Sequence, residues 1–433
     1  YPENPEAGID LFLEKLVQET EKEHEDILEQ ADETDAMFGE LYSWYLRNPE
    51  YRSRVQKLVQ SAFAGKPKDI ISQSVAKALY GEVSPYSATR LERFAACAFA
   101  HFLQYGMKLT ERVEYEFKPM DMGNVMHEAL ESFAEEVRKR GMKWTELTEQ
   151  ERNEIADRCL DNIVADYGNT VLKSSARNEY MIERTRRILR RTVWALQKQL
   201  EQGEFQPEGF EVTFGGGRID RVDIMEDQNK VYVKVIDYKT GNTSFDLVYL
   251  YHGLQLQLMI YLDGALRVEQ KKYPDKEIIP AGVFYYNIKD PMIQEKIDAD
   301  VEAVSAGLMK ELKMNGLAQA DPELVYRMDS SLGSIPVAFN KDGSFRKNSS
   351  VADRTQFAVL GRYVRTKIEK IRSSILEGDA EVSPYELGKK NACTYCPYMT
   401  VCGFDRRLSG YEFRRLKNFS DEELWKAFDR EAE

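Results

Sequence analysis

Cysteine placement constrains this chain more than any other feature. Cys393, Cys396 and Cys402 stand in a C-x2-C-x5-C run near the C-terminus, and Cys97 lies far upstream. A group held by all four would tie two distant stretches of one domain together. Five cysteines in 433 residues do not suggest a secreted disulfide scaffold. A C-x2-C pair in a reducing compartment more often holds a metal or a cluster. Four thiolates suit zinc and equally suit a [4Fe–4S] cluster. The spacing does not choose between them, and no histidine lies near Cys393–Cys402. The fifth, Cys159, stands alone in a helical stretch and reads as a small buried hydrophobe.

Hydrophobic residues make up 42% of the chain and charged residues 31%, a soluble, globular composition with length for two or three domains. The opening YPENPEAGID lacks the basic start and apolar core of a signal peptide, so a cytoplasmic location is expected. It begins at Tyr1 rather than Met and reads as a piece of something longer. The most apolar stretch, Leu247 to Leu266, carries His252, Gln255, Gln257 and Asp263. That reads as a buried soluble helix rather than a membrane span.

A net charge of −13 counts against simple nucleic-acid binding, because non-specific DNA affinity rests on Lys and Arg at phosphates. The charge is uneven, however. Residues 15–40 are heavily acidic. Arg184, Arg186, Arg187, Arg190 and Arg191 form a basic cluster, and Lys389, Lys390, Arg406, Arg407, Arg414 and Arg415 surround the C-terminal cysteines. An acidic total is compatible with a local basic channel. For the 184–191 cluster a solvated helix face is the competing reading.

Along the chain, residues 1–80 read as Glu-, Lys- and Leu-rich helices without an interpretable motif. Gly81 to Pro85 is a break. From Ser87 to Gly106 apolar residues recur at three- and four-residue steps, a second helix runs from about Met122 to Arg140, and helices continue through 146–202. Then the period changes to two. Phe210–Phe214, Arg218–Ile224 and Val231–Tyr238 read as strands, with Gly215-Gly216-Gly217 as a turn. A long helix is expected at 247–268, a strand at 279–288, and helices at 298–315 and 353–377. This is a mixed α/β core inside a large helical shell.

The chemistry centres on Asp220, Asp237 and Lys239. Asp237 and Lys239, two apart on a strand, point to the same side, and a neighbouring strand can bring Asp220 beside them. Two carboxylates and an ammonium suit metal-assisted phosphodiester hydrolysis. The carboxylates offer the oxygen ligands that Mg2+ prefers, the ion activates water and offsets phosphate charge, and the lysine stabilises developing charge. Alone, D-x16-D-x-K is a weak signal. Gly123-x3-His127 shares one helix face, with room for close approach at the glycine. Gln257-x3-Tyr261 shares another. A satisfied core histidine and an amphipathic core helix are the plain alternatives.

Together these residues resemble the RecB-type nuclease branch of the PD-(D/E)xK superfamily. The frame of Cys97 and C-x2-C-x5-C is similar to its iron–sulfur subset, which includes CRISPR adaptation nucleases and the AddB subunits of bacterial AddAB helicase–nucleases. Longer stretches resemble the AddB type, among them SPYSATRLERFAACAFAHFLQYGMKL, MGNVMHEALESF, GGRIDRVD, VIDYKTG and LGKKNACTYCPYMTVCGFD. The resemblance covers roughly 84–415. It implies a central mixed β-sheet flanked by helices, closed by a four-cysteine cluster. Residues 1–83 would be the end of a preceding helicase-like domain and 416–433 a helical tail.

The same resemblance assigns Asp220 and Asp237 to Mg2+ and Lys239 to catalysis. It makes His127 a further metal ligand, Gln257 and Tyr261 orienting groups, and Cys97, Cys393, Cys396 and Cys402 ligands of a [4Fe–4S] cluster. Arg184, Arg187 and Arg191 are the candidate DNA contacts. Where relatives often place proline after the first cysteine, this chain has Ala98, which removes a rigid turn but no ligand. The implied activity is exonucleolytic cleavage of single-stranded DNA, on the 5′-ended strand, during double-strand-break repair, with AddA as motor partner. A catalytically silent DNA-binding scaffold and a CRISPR adaptation exonuclease are the alternatives. The chain lacks a G-x4-G-K-[ST] phosphate loop, so no ATPase activity is expected from it.

Overall fold

The computed structural model describes residues 33–62, 70–81, 86–110, 119–166, 175–215, 217–293, 300–408 and 410–432. Residues 15–32 of the acidic run expected at 15–40, and most of the Gly81–Pro85 break, lie outside them. The chain divides into two compact units. One gathers Tyr1–Tyr80, Ala96–Leu109 and Ile375–Lys417; the other gathers Gly81–Ala95, Thr110–Ser374 and Asn418–Glu433.

In the first unit, helices α1 (Glu33–Arg47) and α2 (Pro49–Ala62) pack through Tyr45 and Val55, both fully buried, with Trp44 and Tyr51 stacked beside them. Helix α3 (Gln73–Tyr80) follows. The single helix expected at 87–106 is broken instead. Helix α4 (Ala88–Ala96) stops, Cys97 takes an extended backbone with φ −165 and ψ 118, and a short helix α5 (Ala98–His101) restarts and continues as a π-turn over Phe102–Gly106. Apolar periodicity does not register such a break, because the pattern resumes in phase beyond it.

The second unit holds the sheet. Its helical layer is built from α6 (Pro119–Lys139), α7 (Glu149–Asp166) and α8 (Ala176–Glu201). Helix α6 buries Val125, Met126, Ala129, Leu130, Phe133, Ala134 and Val137, the stripe that 3.6-residue periodicity produces. Six strands stand in sequence order: β1 (Gln206–Phe214), β2 (Gly217–Asp227), β3 (Lys230–Lys239), β4 (Glu277–Asn287), β5 (Asn315–Gln319) and β6 (Val351–Ala352). Strands β1, β2 and β3 form the antiparallel meander read from the sequence. Strand β4 then joins β3 in parallel, which requires a crossover connection. Pro280, unusual inside a central strand, sits where the β3–β4 register shifts.

That crossover is where the expected helix 247–268 fails. It is two helices, α9 (Leu247–Tyr251) and α10 (Gln257–Lys272). The first ends in a Schellman motif. Gly253 has φ +79, its N–H donates to Leu250 O at 2.9 Å, and Leu254 N–H donates to Tyr249 O at 2.8 Å. The break swings the chain so that Gln257 opens a new helix. The remaining helices are α11 (Val301–Glu311), α12 (Pro322–Met328), α13 (Arg354–Glu377), α14 (Met399–Cys402) and α15 (Asp421–Ala432). The helix expected at 298–315 ends at Glu311, and strand β5 begins at Asn315. Its sequence NGLAQ carries none of the β-branched or aromatic residues that mark strands.

Beneath the sheet's functional edge lies a buried ion triad. Arg221 grips Asp223 at 2.6 and 2.9 Å, and Lys234 reaches the same carboxylate at 3.0 Å. All three are shielded from solvent, so removing one partner strands an uncompensated charge.

A Cβ at residue 253 would meet both a left-handed backbone and the Ala95 methyl at 3.2 Å. We expect Gly253→Ala to lose about 1–2 kcal/mol of stability, read as a lower urea midpoint with an unchanged slope.

Candidate active site

The site gathers at one end of β1, β2 and β3. The β2–β3 ladder ends at Arg221↔Ile236, so the next position along brings Asp220 opposite Asp237. On the other flank, Phe210↔Arg221 and Val212↔Ile219 bracket Glu211 opposite Asp220. Three carboxylates therefore stand in a row across three strands. Sequence reasoning found Asp220 and Asp237 and missed Glu211. The available signal was an acid between Phe210 and Val212, on the strand face opposite those two apolar side chains. Glu211 also carries φ +49, a conformation uncommon for a non-glycine residue, and such outliers cluster at functional sites.

Helix α6 delivers His127 to this row. Its Nδ1 lies 3.3 Å from Asp220 Oδ2 and 3.8 Å from Glu211 Oε1. Among the described residues, His127, Glu211 and Asp220 are the one group whose ligand atoms all fall within 4.8 Å of one another. Gly123, one turn earlier, lets α6 approach the D-Y-K-T segment; a Cβ there would meet Thr240 Oγ1 at 3.3 Å. Asp220 Oδ2 also accepts the Tyr238 N–H at 2.7 Å, and Arg218 pairs with Glu211.

Lys239 stands across from these acids. Its Nζ is 2.6 Å from Asp237 Oδ2 and donates to Gln257 Oε1 at 2.6 Å. It lies 5.3 Å from the centre of the Tyr285 ring. Gln257 Nε2 in turn donates to Tyr261 OH at 2.9 Å. The structure thus brings together His127, Asp220, Asp237, Lys239, Gln257 and Tyr261, all within the second unit.

The electrostatics follow from crowding acids in a poorly hydrated place. Burial first, and the Asp220 carboxylate second, push Asp237 up to about 7, against the pull of Lys239. For His127, burial disfavours the cation, but its hydrogen bonds to Asp220 and Glu211 outweigh that and raise it to about 10. Protonated His127 thereby offsets part of the charge of the carboxylate row, and deprotonated His127 could offer a lone pair to an ion placed among the same acids. Burial raises Tyr261 to about 12, which keeps its hydroxyl neutral.

The basic cluster on α8 is largely neutralised. Arg187 meets Asp290 at 2.6 Å, Arg186 pairs with Asp161 at 2.7 Å, Arg190 pairs with Asp157, and the Arg191 guanidinium lies 5.4 Å from the Trp194 ring centre. Arg184 is exposed.

The four cysteines meet in the first unit. Cys97, Cys393, Cys396 and Cys402 line one small hollow with Phe99, Ala100, Val382, Pro384, Met399 and Phe404. None is in a disulfide. Burial and the other three sulfurs push the Cys393 thiol up to about 11, and Phe404 N–H donates to Cys402 Sγ at 3.4 Å. Cys159 is buried in the helical core of the second unit.

Comparison with known proteins agrees with this geometry. Residues 85–403 match the PD-(D/E)XK nuclease superfamily, and the chain belongs to it. It is 41% identical over 425 residues to the B-type subunit of the ATP-dependent helicase/deoxyribonuclease of Lachnoclostridium phytofermentans, covering 93% of this chain and 36% of that protein. Proteins of the same name from Thermoanaerobacter sp. (strain X514) and Alkaliphilus metalliredigens are 33% and 34% identical, covering 93% and 92% of this chain and 37% of each relative. The chain therefore spans little more than a third of the length of these relatives. Among the described residues no helix is long and apolar enough to cross a membrane.

Asp237 and His127 both titrate above their ordinary values. Their stabilising contributions are complete below the unfolded values and are lost as pH rises through the folded ones. With divalent ions chelated, the melting temperature should fall as pH rises from about 4 to about 7, the interval between the ordinary aspartate value and the raised Asp237 value. Asp237→Asn should flatten that slope, and an unchanged slope in the variant would show that the raised carboxyl is not Asp237.

Proposed function

We propose that this member of the PD-(D/E)XK nuclease superfamily is the nuclease portion of an AddB-type subunit. In this reading it hydrolyses phosphodiesters of single-stranded DNA from an end, on the 5′-ended strand, in cytoplasmic double-strand-break repair, with AddA as the motor partner. The observation that carries it is the row Glu211, Asp220, Asp237 with His127 at one end and Lys239 at the other. The likeness to subunits named ATP-dependent helicase/deoxyribonuclease supports the DNA substrate and the existence of a partner. The nuclease domain would run from 84 to 415, with 1–83 belonging to the preceding helicase-like part.

The donor set fits a hard divalent ion such as Mg2+, since carboxylate oxygens dominate it. When bound, that ion supplies charge neutralisation at the phosphate and a more acidic water. Asp220 and Asp237 would supply oxygens to it, and Glu211 and His127 would complete the donor set. Lys239, held by Asp237 and Gln257, has three N–H donors and keeps one for a phosphate oxygen or the attacking water. Tyr261 and Gln257 hold that ammonium in register.

The thiol hollow fits a four-thiolate cofactor. Four thiolates accept zinc or a polynuclear [4Fe–4S] cluster; the resemblance to the iron–sulfur subset favours the cluster, for which N–H···S bonds such as that from Phe404 would tune the sulfurs. In sequence, Cys97 and Cys393 flank the long 110–374 segment of the other unit. Joining them constrains the unfolded chain, which makes the role structural.

Two experiments test this reading. With end-labelled single-stranded DNA and Mg2+, the chain should degrade the strand from the 5′ end. Asp237→Ala should fall by about a thousandfold or more, and Glu211→Ala should need more Mg2+ for its residual rate. Wild-type activity that persists with divalent ions chelated would contradict the metal mechanism. Purified without oxygen, the protein should be brown with about four irons per chain, and Cys396→Ala should lose the colour and melt earlier. Stoichiometric zinc in place of iron would overturn the cluster.

A further inference from the structure

The mechanism uses Gln257 to aim Lys239; Tyr261, one turn along α10, steadies its side-chain amide, but the N-cap side chain of α10 does not hold the backbone at its start. The residue at its N-cap is Leu256, whose side chain caps nothing. The exposed first amides of the helix are instead taken by another element. Glu92 on α4 accepts Leu256 N–H at 2.7 Å and Gln257 N–H at 3.0 Å, both at Oε1. A second contact holds the same junction, since Gly253 rests close to Ala95, one turn along α4. All of these residues belong to the second unit.

We infer that Glu92 is a positioning residue for catalysis: it anchors the start of α10 and so holds the Gln257 amide against Lys239. The chain of contacts is continuous. Glu92 binds the Gln257 backbone, Gln257 Oε1 takes the Lys239 ammonium at 2.6 Å, and Lys239 meets Asp237 at 2.6 Å. A carboxylate suits the task because a helix start presents unpaired N–H groups and a partial positive charge. The glutamate is itself sensitive to its surroundings. Burial lifts it to about 7, opposed by its two backbone hydrogen bonds and by Lys239.

Alternatives on α10 do not explain the geometry. The preceding Schellman turn ends α9 but leaves the first amides of α10 unsatisfied. Glu92 therefore supplies what the break at Gly253 removes, and it does so at the residue that touches the lysine.

This inference rests on the nuclease reading, and its test separates the two. Glu92→Ala, Glu92→Gln, Gln257→Ala and the double variant Glu92→Ala/Gln257→Ala are compared with wild type for single-stranded DNA cleavage, Mg2+ dependence, melting temperature and amide exchange at residues 256–258. Glu92→Ala should lower kcat roughly ten- to a hundredfold with KM and the Mg2+ requirement unchanged. Exchange at those amides should become about fivefold faster. Glu92→Gln, which keeps an acceptor, should recover most of both. The decisive comparison is the double variant: it should be no slower than Gln257→Ala alone, because both changes break one chain of contacts.

Full additivity of the two losses, or slowed cleavage without faster exchange at 256–258, overturns the inference. So does unchanged cleavage in Glu92→Ala while wild type is active. If wild type itself does not cleave DNA, the functional reading fails, and unchanged exchange in Glu92→Ala still removes the anchor on its own.

Discussion

Everything at the working end of this fold answers to one electrostatic constraint: three carboxylates are brought together where water cannot screen them well. Glu211, Asp220 and Asp237 come from three adjacent strands, so the sheet itself enforces their proximity. Like charges in such a place repel strongly unless cations or donors are built around them. The structure supplies these from separate directions. His127 comes from a helix, Lys239 from the same strand as Asp237, and Arg218 and the Tyr238 amide from the flanks. The strained Glu211 backbone belongs to the same account, because a site held for chemistry tolerates local cost that a purely structural strand would avoid.

The buried triad behind the row shows how close function and scaffold lie in this sequence. In the run Ile219-Asp220-Arg221-Val222-Asp223, alternate residues point to opposite faces. Asp220 goes to the site, while Arg221 and Asp223, two apart, share the other face and close on Lys234. A one-residue slip of β2 would send Arg221 and Asp223 to the site and bury Asp220 without a partner. Register is therefore fixed from both faces at once, by ion pairs on one and by the carboxylate row on the other.

Much of this was legible in the residues, and the unreadable parts share a cause. The meander was visible because β2 and β3 alternate strongly, and Asp237-x-Lys239 follows from period two alone. Glu211 was hidden because its partner relation is set by strand register, which a single sequence does not print. The breaks at Cys97 and Gly253 were hidden for another reason. Apolar spacing continues through both, whereas the interruption comes from one extended residue in the first case and from a Schellman motif in the second. Strand β5 carries no strand-forming composition and is a strand only because β4 offers it an edge. In each case a tertiary partner decides what local preference leaves open.

The charge balance of the row also explains why a doubly charged ion suits it. Arg218 pairs with Glu211 from the exposed side, where solvent screens its charge; inside the row the carboxylates face two cations, Lys239 and protonated His127, which leaves an excess of negative charge. Burial first, and the Asp220 carboxylate second, favour a proton on Asp237, and that proton removes the excess. Exchanging the His127 proton for a divalent ion removes it as well, and leaves Asp237 free to ionise. On the proposed reading, proton and ion would compete for the same electrostatic role. A monovalent cation in that exchange would leave the excess where it was. On that reading, the arrangement of His127 beside the Glu211 and Asp220 carboxylates would select for charge before it selects for the identity of the metal.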